Sequence, residues 1–92
     1  MNGNRNHLFR LTCGAEEVHN GHTTFANIRR VGDRLATERR QHVRLEAYNT
    51  SLYRWEHLGT FMGNREYVNA FGELRVMSED YRSMVTKKGG ES

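Results

Sequence analysis

The sequence has little cysteine, no proline and no long apolar run. Cys13 is the only cysteine among 92 residues. It cannot form an internal disulfide, which excludes the class of disulfide-stapled secreted mini-proteins. No apolar run approaches the roughly 18 residues that a membrane-spanning helix needs, and the N-terminal segment MNGNRNH lacks the apolar part of a signal peptide. These absences predict a soluble, cytoplasmic protein.

Catalytic and nucleotide-binding motifs are also missing. The chain contains no GxGxxG, Walker or nucleophile-elbow pattern. General acid–base chemistry would have to use His57 with Glu56 or Arg54, but neighbours along a strand point to opposite faces, so Glu56 and His57 cannot converge. Cys13 falls at an inward strand position and behaves as a small hydrophobic residue. We expect a non-enzymatic protein without a cofactor; a small ribonuclease-like enzyme using His, Arg and Glu is the alternative.

The length of the chain sets the number of domains. Ninety-two residues form one domain with one small core. We expect a single α+β domain over residues 1–88 and a flexible C-terminal tail over residues 89–92, which begins at the helix-stopping pair Gly89-Gly90. A core of this size gains stability from a partner. A homodimer, or a purely structural, oligomerising module, therefore stays open.

Three segments alternate apolar and polar residues, which is the pattern of a half-buried strand. They cover residues 8–13, 43–48 and 52–58. After the first of them, Asn20-Gly21 predicts a tight hairpin turn, because both residues tolerate positive φ. The sequence therefore predicts an antiparallel sheet of three or four strands.

The hairpin between residues 43–48 and 52–58 contains the only tryptophan, and its register decides where that side chain points. A three-residue loop sets Ala47 opposite Tyr53 and Leu45 opposite Trp55, and it brings oppositely charged residues together on the other face. A two-residue turn would bury charged side chains, because a shift of one residue reverses the faces of a strand. We therefore predict that Tyr53 and Trp55 face the core.

The first predicted helix covers residues 25–40. Thr23 or Thr24 can cap it, because a threonine hydroxyl accepts a hydrogen bond from a free N–H of the first turn. Its apolar residues at helical spacing are Phe25, Ile28, Val31, Leu35 and Ala36. Gly32 lies beside this stripe, and its missing side chain predicts a close approach of the helix to the sheet.

The second predicted helix covers residues 64–87. Its apolar residues fall within one broad helical stripe, with Asn64 as the N-cap and a kink at Gly72. A short strand over ELRVM, residues 73–77, followed by a new helix capped at Ser78, is the alternative. The predicted fold class is α+β, with a small antiparallel sheet of three to four strands packed against two amphipathic helices over about 25–40 and 64–87.

Arginine dominates the charge of the chain. Lys87 and Lys88 are the only lysines among fourteen basic residues, and six arginines lie between Arg29 and Arg44. The guanidinium group offers a planar fork that matches phosphate and carboxylate geometry. A solvated helix face with internal ion pairs is the simpler explanation. The alternative is a binding surface for nucleic acid or an acidic protein, with these predicted residues: Arg29, Arg30, Arg34, Arg40, His42, Arg44 and Tyr48.

Two further kinds of site are weaker. Cys13, His19 and His22 are ligand types that zinc prefers, but a fourth ligand would have to be Glu16 or Glu17. A strand pair that carries two histidines explains the same residues, so no metal site is predicted. The basic amphipathic helix could lie on a membrane, but its apolar face is needed for the core, so no membrane partner is expected.

In size, charge and lack of catalytic motifs the chain resembles small phage-encoded accessory proteins, including anti-CRISPR inhibitors. This likeness is one of class and rests on no residue motif. Together with the arginines, it predicts a binding protein that acts on a nucleic-acid-processing complex or on its nucleic acid. The expected partner is an acidic protein surface or a nucleic acid, within a nucleoprotein complex.

Overall fold

The computed structural model describes residues 5–86 as one antiparallel sheet with one helix on it. The order of the seven strands is β2-β1-β3-β4-β5-β6-β7. The elements are β1 (His7–Cys13), β2 (Glu16–Thr23), α1 (Phe25–Arg39), β3 (Val43–Asn49), β4 (Arg54–Gly63), β5 (Glu66–Asn69), β6 (Leu74–Met77) and β7 (Met84–Thr86). The predicted tail, residues 89–92, lies outside the described residues.

The core lies between α1 and one face of the sheet. Alternate residues of β1 and β3 point towards α1, which packs over β1, β3 and β4. Burying these apolar side chains is the main favourable contribution to folding. The buried members are Phe9, Leu11, Cys13, Ile28, Ala36, Val43, Leu45, Phe61, Tyr67 and Met77.

The helix α1 confirms the first predicted helix to within one residue. Thr24 is the N-cap, and its hydroxyl oxygen accepts a hydrogen bond from the backbone N–H of Asn27 at 3.2 Å. Arg40 ends the helix in the left-handed conformation, with φ 55°. A side chain at Gly32 would overlap the ring of Phe61. The close approach of α1 to the sheet at Gly32 is therefore confirmed.

The strand over residues 8–13 is confirmed as β1, but the turn at Asn20-Gly21 is wrong. The chain turns earlier, at Gly14-Ala15, where Gly14 has φ 63°. Asn20 and Gly21 lie inside β2, opposite Arg10 and Phe9. The earlier turn lets β2 pair with β1 along its length apart from a bulge at Val18, so more backbone N–H and C=O groups are satisfied than a hairpin at Asn20-Gly21 would allow.

The predicted register of the hairpin between β3 and β4 is wrong. Tyr48 is paired with Trp55, and the loop covers residues 50–53. The side-chain carbonyl oxygen of Asn49 accepts hydrogen bonds from the backbone N–H groups of Ser51 and Leu52, at 2.9 and 3.0 Å, and so starts the turn. Trp55 therefore faces away from the core.

Tyr53, the other aromatic residue predicted to be in the core, lies in that loop. It has φ 54° and is 81% exposed. Further along the hairpin the register shifts at Leu58, so that Leu45 lies opposite Gly59 and Val43 opposite Phe61. This bulge restores the apolar alignment that one regular register could not give.

The predicted fold class is wrong, because the sheet has seven strands and not three or four, and because no helix forms over residues 64–86. The segment instead contains β5, β6 and β7 with tight turns between them. Asn64 and Arg65 both have positive φ, 54° and 65°, which is the geometry of a two-residue hairpin turn. Such left-handed residues interrupt an α-helix, and the strand alternative over ELRVM corresponds to β6 (Leu74–Met77).

Local hydrogen bonds in the later turns also compete with a helix. The side-chain carbonyl oxygen of Asn69 accepts from the backbone N–H groups of Phe71 and Glu73, at 3.0 and 2.9 Å. Gly72 has φ 84°, so it is a turn residue and not a helix kink.

Among residues 5–86, no helix is both long and apolar enough to cross a lipid bilayer.

Candidate nucleic-acid interface

The seven predicted binding residues lie in three different places. Arg30, Arg34, Arg40 and His42 follow one side of α1 and its exit. Arg29 turns towards the loop before β7. Arg44 and Tyr48 lie on the far face of the sheet, because they alternate with the buried residues of β3.

Arg29 is half-buried and already bound to protein. Its Nη1 donates hydrogen bonds to the backbone carbonyls of Tyr81 and Arg82, at 3.2 and 3.3 Å. Burial lowers the pKa of Arg29 from its ordinary value, but an arginine side chain stays charged in proteins. Its charge therefore serves to hold the loop over residues 78–83 against α1.

Two adjoining depressions run along the exposed side of α1 and share Thr37. We call them together the basic groove. The first is lined by Arg30, Asp33, Arg34, Thr37, Glu38 and Tyr81. The second, of about 520 Å³, is lined by Ala36, Thr37, Arg40, His42, Met62, Gly63 and Asn64.

The helix sets the positions of the arginines in the basic groove. Arg30 and Arg34 are four residues apart, so they lie one turn apart on the same side of α1. Arg40 follows at the helix end, where its own backbone N–H bonds to the carbonyl of Ala36. His42 comes just before β3, and both it and Arg40 line the second depression.

Three hydrogen bonds connect the walls of the basic groove to the helix. The hydroxyl oxygen of Thr37 accepts from the backbone N–H of Asn64 at 2.8 Å. Asp33 is only 5% exposed, and its two carboxylate oxygens accept from the backbone N–H of Arg65 and the hydroxyl of Tyr81, at 2.8 and 2.7 Å. The turn between β4 and β5 and the loop before β7 are thereby fixed relative to α1.

The basic groove has an excess of positive charge. Arg30 donates to the side-chain oxygen of Asn27 at 3.0 Å, and within residues 5–86 neither Arg34 nor Arg40 forms an ion pair. Burial, and then the hydrogen bond to Asp33, raise the pKa of Tyr81. The Tyr81 hydroxyl therefore stays protonated at neutral pH.

The second surface is the sheet face that points away from α1, which we call the open face. Its side chains alternate with the core residues of β1, β3 and β4. On these three strands they include Leu8, Arg10, Thr12, Arg44, Glu46, Tyr48, Trp55 and His57. Arg44 and Tyr48, both predicted from the sequence, belong to this surface and not to the basic groove.

A linked cluster occupies the middle of the open face. Arg10 donates from Nε to Glu46 at 2.8 Å, and Arg44 donates to the other oxygen of Glu46 at 3.2 Å. Burial opposes ionisation of Glu46, but these hydrogen bonds outweigh it and lower its pKa. The Arg10 guanidinium carbon is 4.3 Å from the centroid of the Trp55 ring, and Tyr48 meets Trp55 edge-on at 5.4 Å.

Sequence reasoning missed Arg10 and Trp55 as members of a surface. The signal was present in β1, where Arg10 takes a polar position in the alternation. For Trp55 the alternation of β4 is compatible with either face of the sheet, and only the register of β4 against β3 determines on which face Trp55 lies.

The residues weighed as metal ligands do not converge. His19 is paired with Leu11 on the core side of β2, whereas His22 is paired with Leu8 on the open face. The Cys13 thiol donates a hydrogen bond to the side-chain oxygen of Gln41 at 3.1 Å. Within residues 5–86 no group of three or more His, Cys, Asp or Glu is placed to hold a metal ion.

Comparison of this chain with protein-family models, with curated proteins and with solved structures finds no match.

Proposed function

We propose that the protein binds nucleic acid without catalysis and contacts its phosphates through the basic groove. The observation that carries this proposal is the row formed by Arg30, Arg34, Arg40 and His42 along one groove. Arg34 and Arg40 have no acidic partner within residues 5–86, so their forks are free to bind an anion. Guanidinium groups bind phosphate through paired, charge-assisted hydrogen bonds.

The lining of the groove supports a polyanion rather than a protein as the ligand. Binding energy at protein interfaces concentrates on aromatic and other large anchors in dry pockets. In the basic groove the aromatic residue Tyr81 has its hydroxyl bound to Asp33, and most of the other lining residues are polar or charged. Contacts of this kind position a nucleic acid without selecting its sequence.

An accessory or inhibitory role beside a nucleic-acid-processing complex, as in anti-CRISPR proteins, stays a prediction. A phosphate-binding groove suits that role, because it competes for the nucleic acid on which the complex acts. The same groove predicts a strong dependence on salt, since each phosphate contact displaces condensed counterions.

The test is a titration of labelled oligonucleotides by fluorescence anisotropy over a series of salt concentrations. For a single strand the logarithm of the affinity should fall against that of salt with a slope of about −0.7 per phosphate contacted. We expect Arg34→Glu to weaken binding about tenfold or more, and Arg30→Glu with Arg34→Glu to remove it. Unchanged thermal unfolding of these variants would confirm that the fold is intact.

Arg54→Glu is the matched control for Arg34→Glu. Both arginines are exposed and both substitutions change the net charge equally, but Arg54 lies at the far end of β4, outside the basic groove. We expect Arg54→Glu to weaken binding by less than threefold. Equal losses from the two variants would assign binding to net charge alone and contradict the proposal.

The enzyme alternative is tested by incubating the purified protein with RNA, DNA and nucleotides. The Nε2 atom of His57 is buried and has no hydrogen-bond partner within the described residues, so it is poorly placed to exchange a proton with a substrate. We expect all three substrates to remain intact. Cleavage that disappears with His57→Gln or His42→Gln would favour the enzyme.

A further inference from the structure

The open face has a depression of about 300 Å³ at the end nearest the β3–β4 hairpin loop. Leu8, His22 and Tyr48 line it from the sheet, Thr50 lines it from the hairpin loop, and Arg5 and Asn6 line it from the segment before β1. We propose that this depression takes one unpaired base of the nucleic acid, so that the ligand of the protein is single-stranded. This inference rests on the proposed function and names the class of nucleic acid.

Tyr48 is held in place before any ligand binds. Its ring meets Trp55 at an interplanar angle of 73°, Trp55 is covered by Arg10, and Arg10 is bound to Glu46. Each side chain in this series fixes the next. An aromatic wall that is already ordered loses little conformational entropy when a base stacks on it.

The lining of the depression matches the parts of a nucleotide. Tyr48 supplies an aromatic surface, and stacking on aromatic side chains tolerates every base. The Thr50 hydroxyl and the Asn6 amide can hydrogen-bond to the edge of a base, and Arg5 can pair with its phosphate. The volume is at the lower limit of small-molecule pockets, which suits one base.

A base reaches such a depression only when it is not stacked and paired in a duplex. Duplex bases are enclosed between their neighbours, and proteins that bind a base in a pocket take it from a single strand or flip it out. The depression is therefore selective for single strands, although the basic groove by itself would accept the phosphates of either form.

Basic residues lie at the start of β3, between the basic groove and the depression. His42 lines the groove and Arg44 lies on the open face, with only buried Val43 between them. Arg44 and Tyr48 are both on β3, about 13 Å apart at the usual rise per strand residue. Arg10 and Arg44 share the single carboxylate of Glu46, so this part of the open face keeps a positive charge that complements a phosphate chain.

The first experiment uses a twelve-nucleotide oligothymidine and a duplex of the same length. Trp55 is the only tryptophan and touches Tyr48, so its fluorescence reports on this end of the open face. We expect the single strand to change the Trp55 emission with the same midpoint as its binding curve, and the duplex to leave the emission unchanged. Equal affinity for both oligonucleotides, or no change in emission with the single strand, would overturn the inference.

The second experiment compares Tyr48→Leu with Tyr48→Phe. If a base stacks on the Tyr48 ring, Tyr48→Leu should lower the affinity for oligothymidine about tenfold or more. The affinity for the duplex should stay unchanged. Tyr48→Phe keeps the ring and should bind like the parent. If Arg34→Glu weakens binding and Tyr48→Leu does not, the inference fails while the proposed function stands.

The open face could instead be covered by a second copy of the chain. Sedimentation equilibrium of the parent and of Tyr48→Leu distinguishes a nucleic acid from a second copy of the chain as the occupant of this face. We expect the same molecular mass for both proteins at the concentrations of the titration. A parent dimer that becomes monomeric in Tyr48→Leu, with oligothymidine affinity retained, would assign the face to self-association and overturn the inference.

Discussion

Arg10 in β1 lies over the ring of Trp55 in β4, although β3 separates the two strands. Arg10 reaches across β3 because Glu46 accepts its guanidinium N–H groups midway, with a shortest contact of 2.6 Å. The only tryptophan of the chain therefore stabilises the open face and not the core.

The Arg10–Trp55 contact is expected to contribute about 0.5–2 kcal/mol of coupling, the range for a partly desolvated cation–π pair. A double-mutant cycle with Arg10→Ala and Trp55→Ala, measured by urea unfolding, gives this quantity. A control cycle of Arg39→Ala with Trp55→Ala should give less than about 0.5 kcal/mol, because well-separated sites act independently. Additive effects of Arg10→Ala and Trp55→Ala would show that the contact is energetically unimportant.

Gly32→Ala is expected to destabilise the protein by about 1–3 kcal/mol, the usual effect of overpacking a core. Alanine would gain up to ~1 kcal/mol in helix propensity, but its side chain would overlap the Phe61 ring. Denaturant unfolding measures the change, and Arg30→Ala on the exposed side of α1 is the control. Phe61→Leu in the Gly32→Ala background should recover part of the loss. A stabilised Gly32→Ala protein would refute this packing.

Deprotonation of Tyr67 should lower the stability of the protein at high pH. Burial raises the pKa of Tyr67 from 10.0 to about 12. Between these values the unfolded chain has lost the phenol proton and the folded protein retains it, so the free energy of unfolding falls by up to ~1.4 kcal/mol per pH unit. Tyr67→Phe should reduce the slope of stability against pH in this window. The same slope in Tyr67→Phe and the parent would exclude this explanation.

Protonation of Glu46 should lower the stability of the protein at low pH. Its pKa is lowered from 4.5, so its contribution to stability is present above that value and is lost as the pH falls through the folded-state pKa. Glu46→Gln should therefore be less stable than the parent at pH 7, and the difference should shrink on acidification. Glu79→Gln, an exposed carboxylate, is the control. A difference that stays constant from pH 7 to pH 2 would contradict this role.

The candidate site could be predicted only in part. The arginines on the exposed side of α1 and their common direction follow from helical spacing. Arg29 lies in the same run, but whether its side chain binds the loop over residues 78–83 depends on where that loop packs. Arg44 follows α1 by only a few residues, yet it lies on the other side of the sheet, because β3 buries Val43 and Leu45 beside it.

The elements that could be predicted from the sequence are those that local interactions specify. For α1 these are a threonine cap at Thr23 or Thr24, the apolar stripe and the small residue at Gly32. For β1 and β3 they are the alternation of apolar and polar side chains. Such signals act within a few residues, because the hydrogen bonds of a helix turn and the faces of a strand are set locally.

Contacts between distant parts of the chain set the fold of its second half and the face of the sheet on which Trp55 lies. Tyr67 and Met77 fit a helical stripe, but they are buried instead as members of β5 and β6. The backbone of that segment is satisfied by pairing of β5 with β4, of β6 with β5 and of β7 with β6. Its turns are closed by side chains whose effect depends on the strands they join. Trp55 points away from α1 because of the register between β3 and β4. A shift of one residue reverses the face of every side chain in a strand, and that register depends on contacts across the whole sheet.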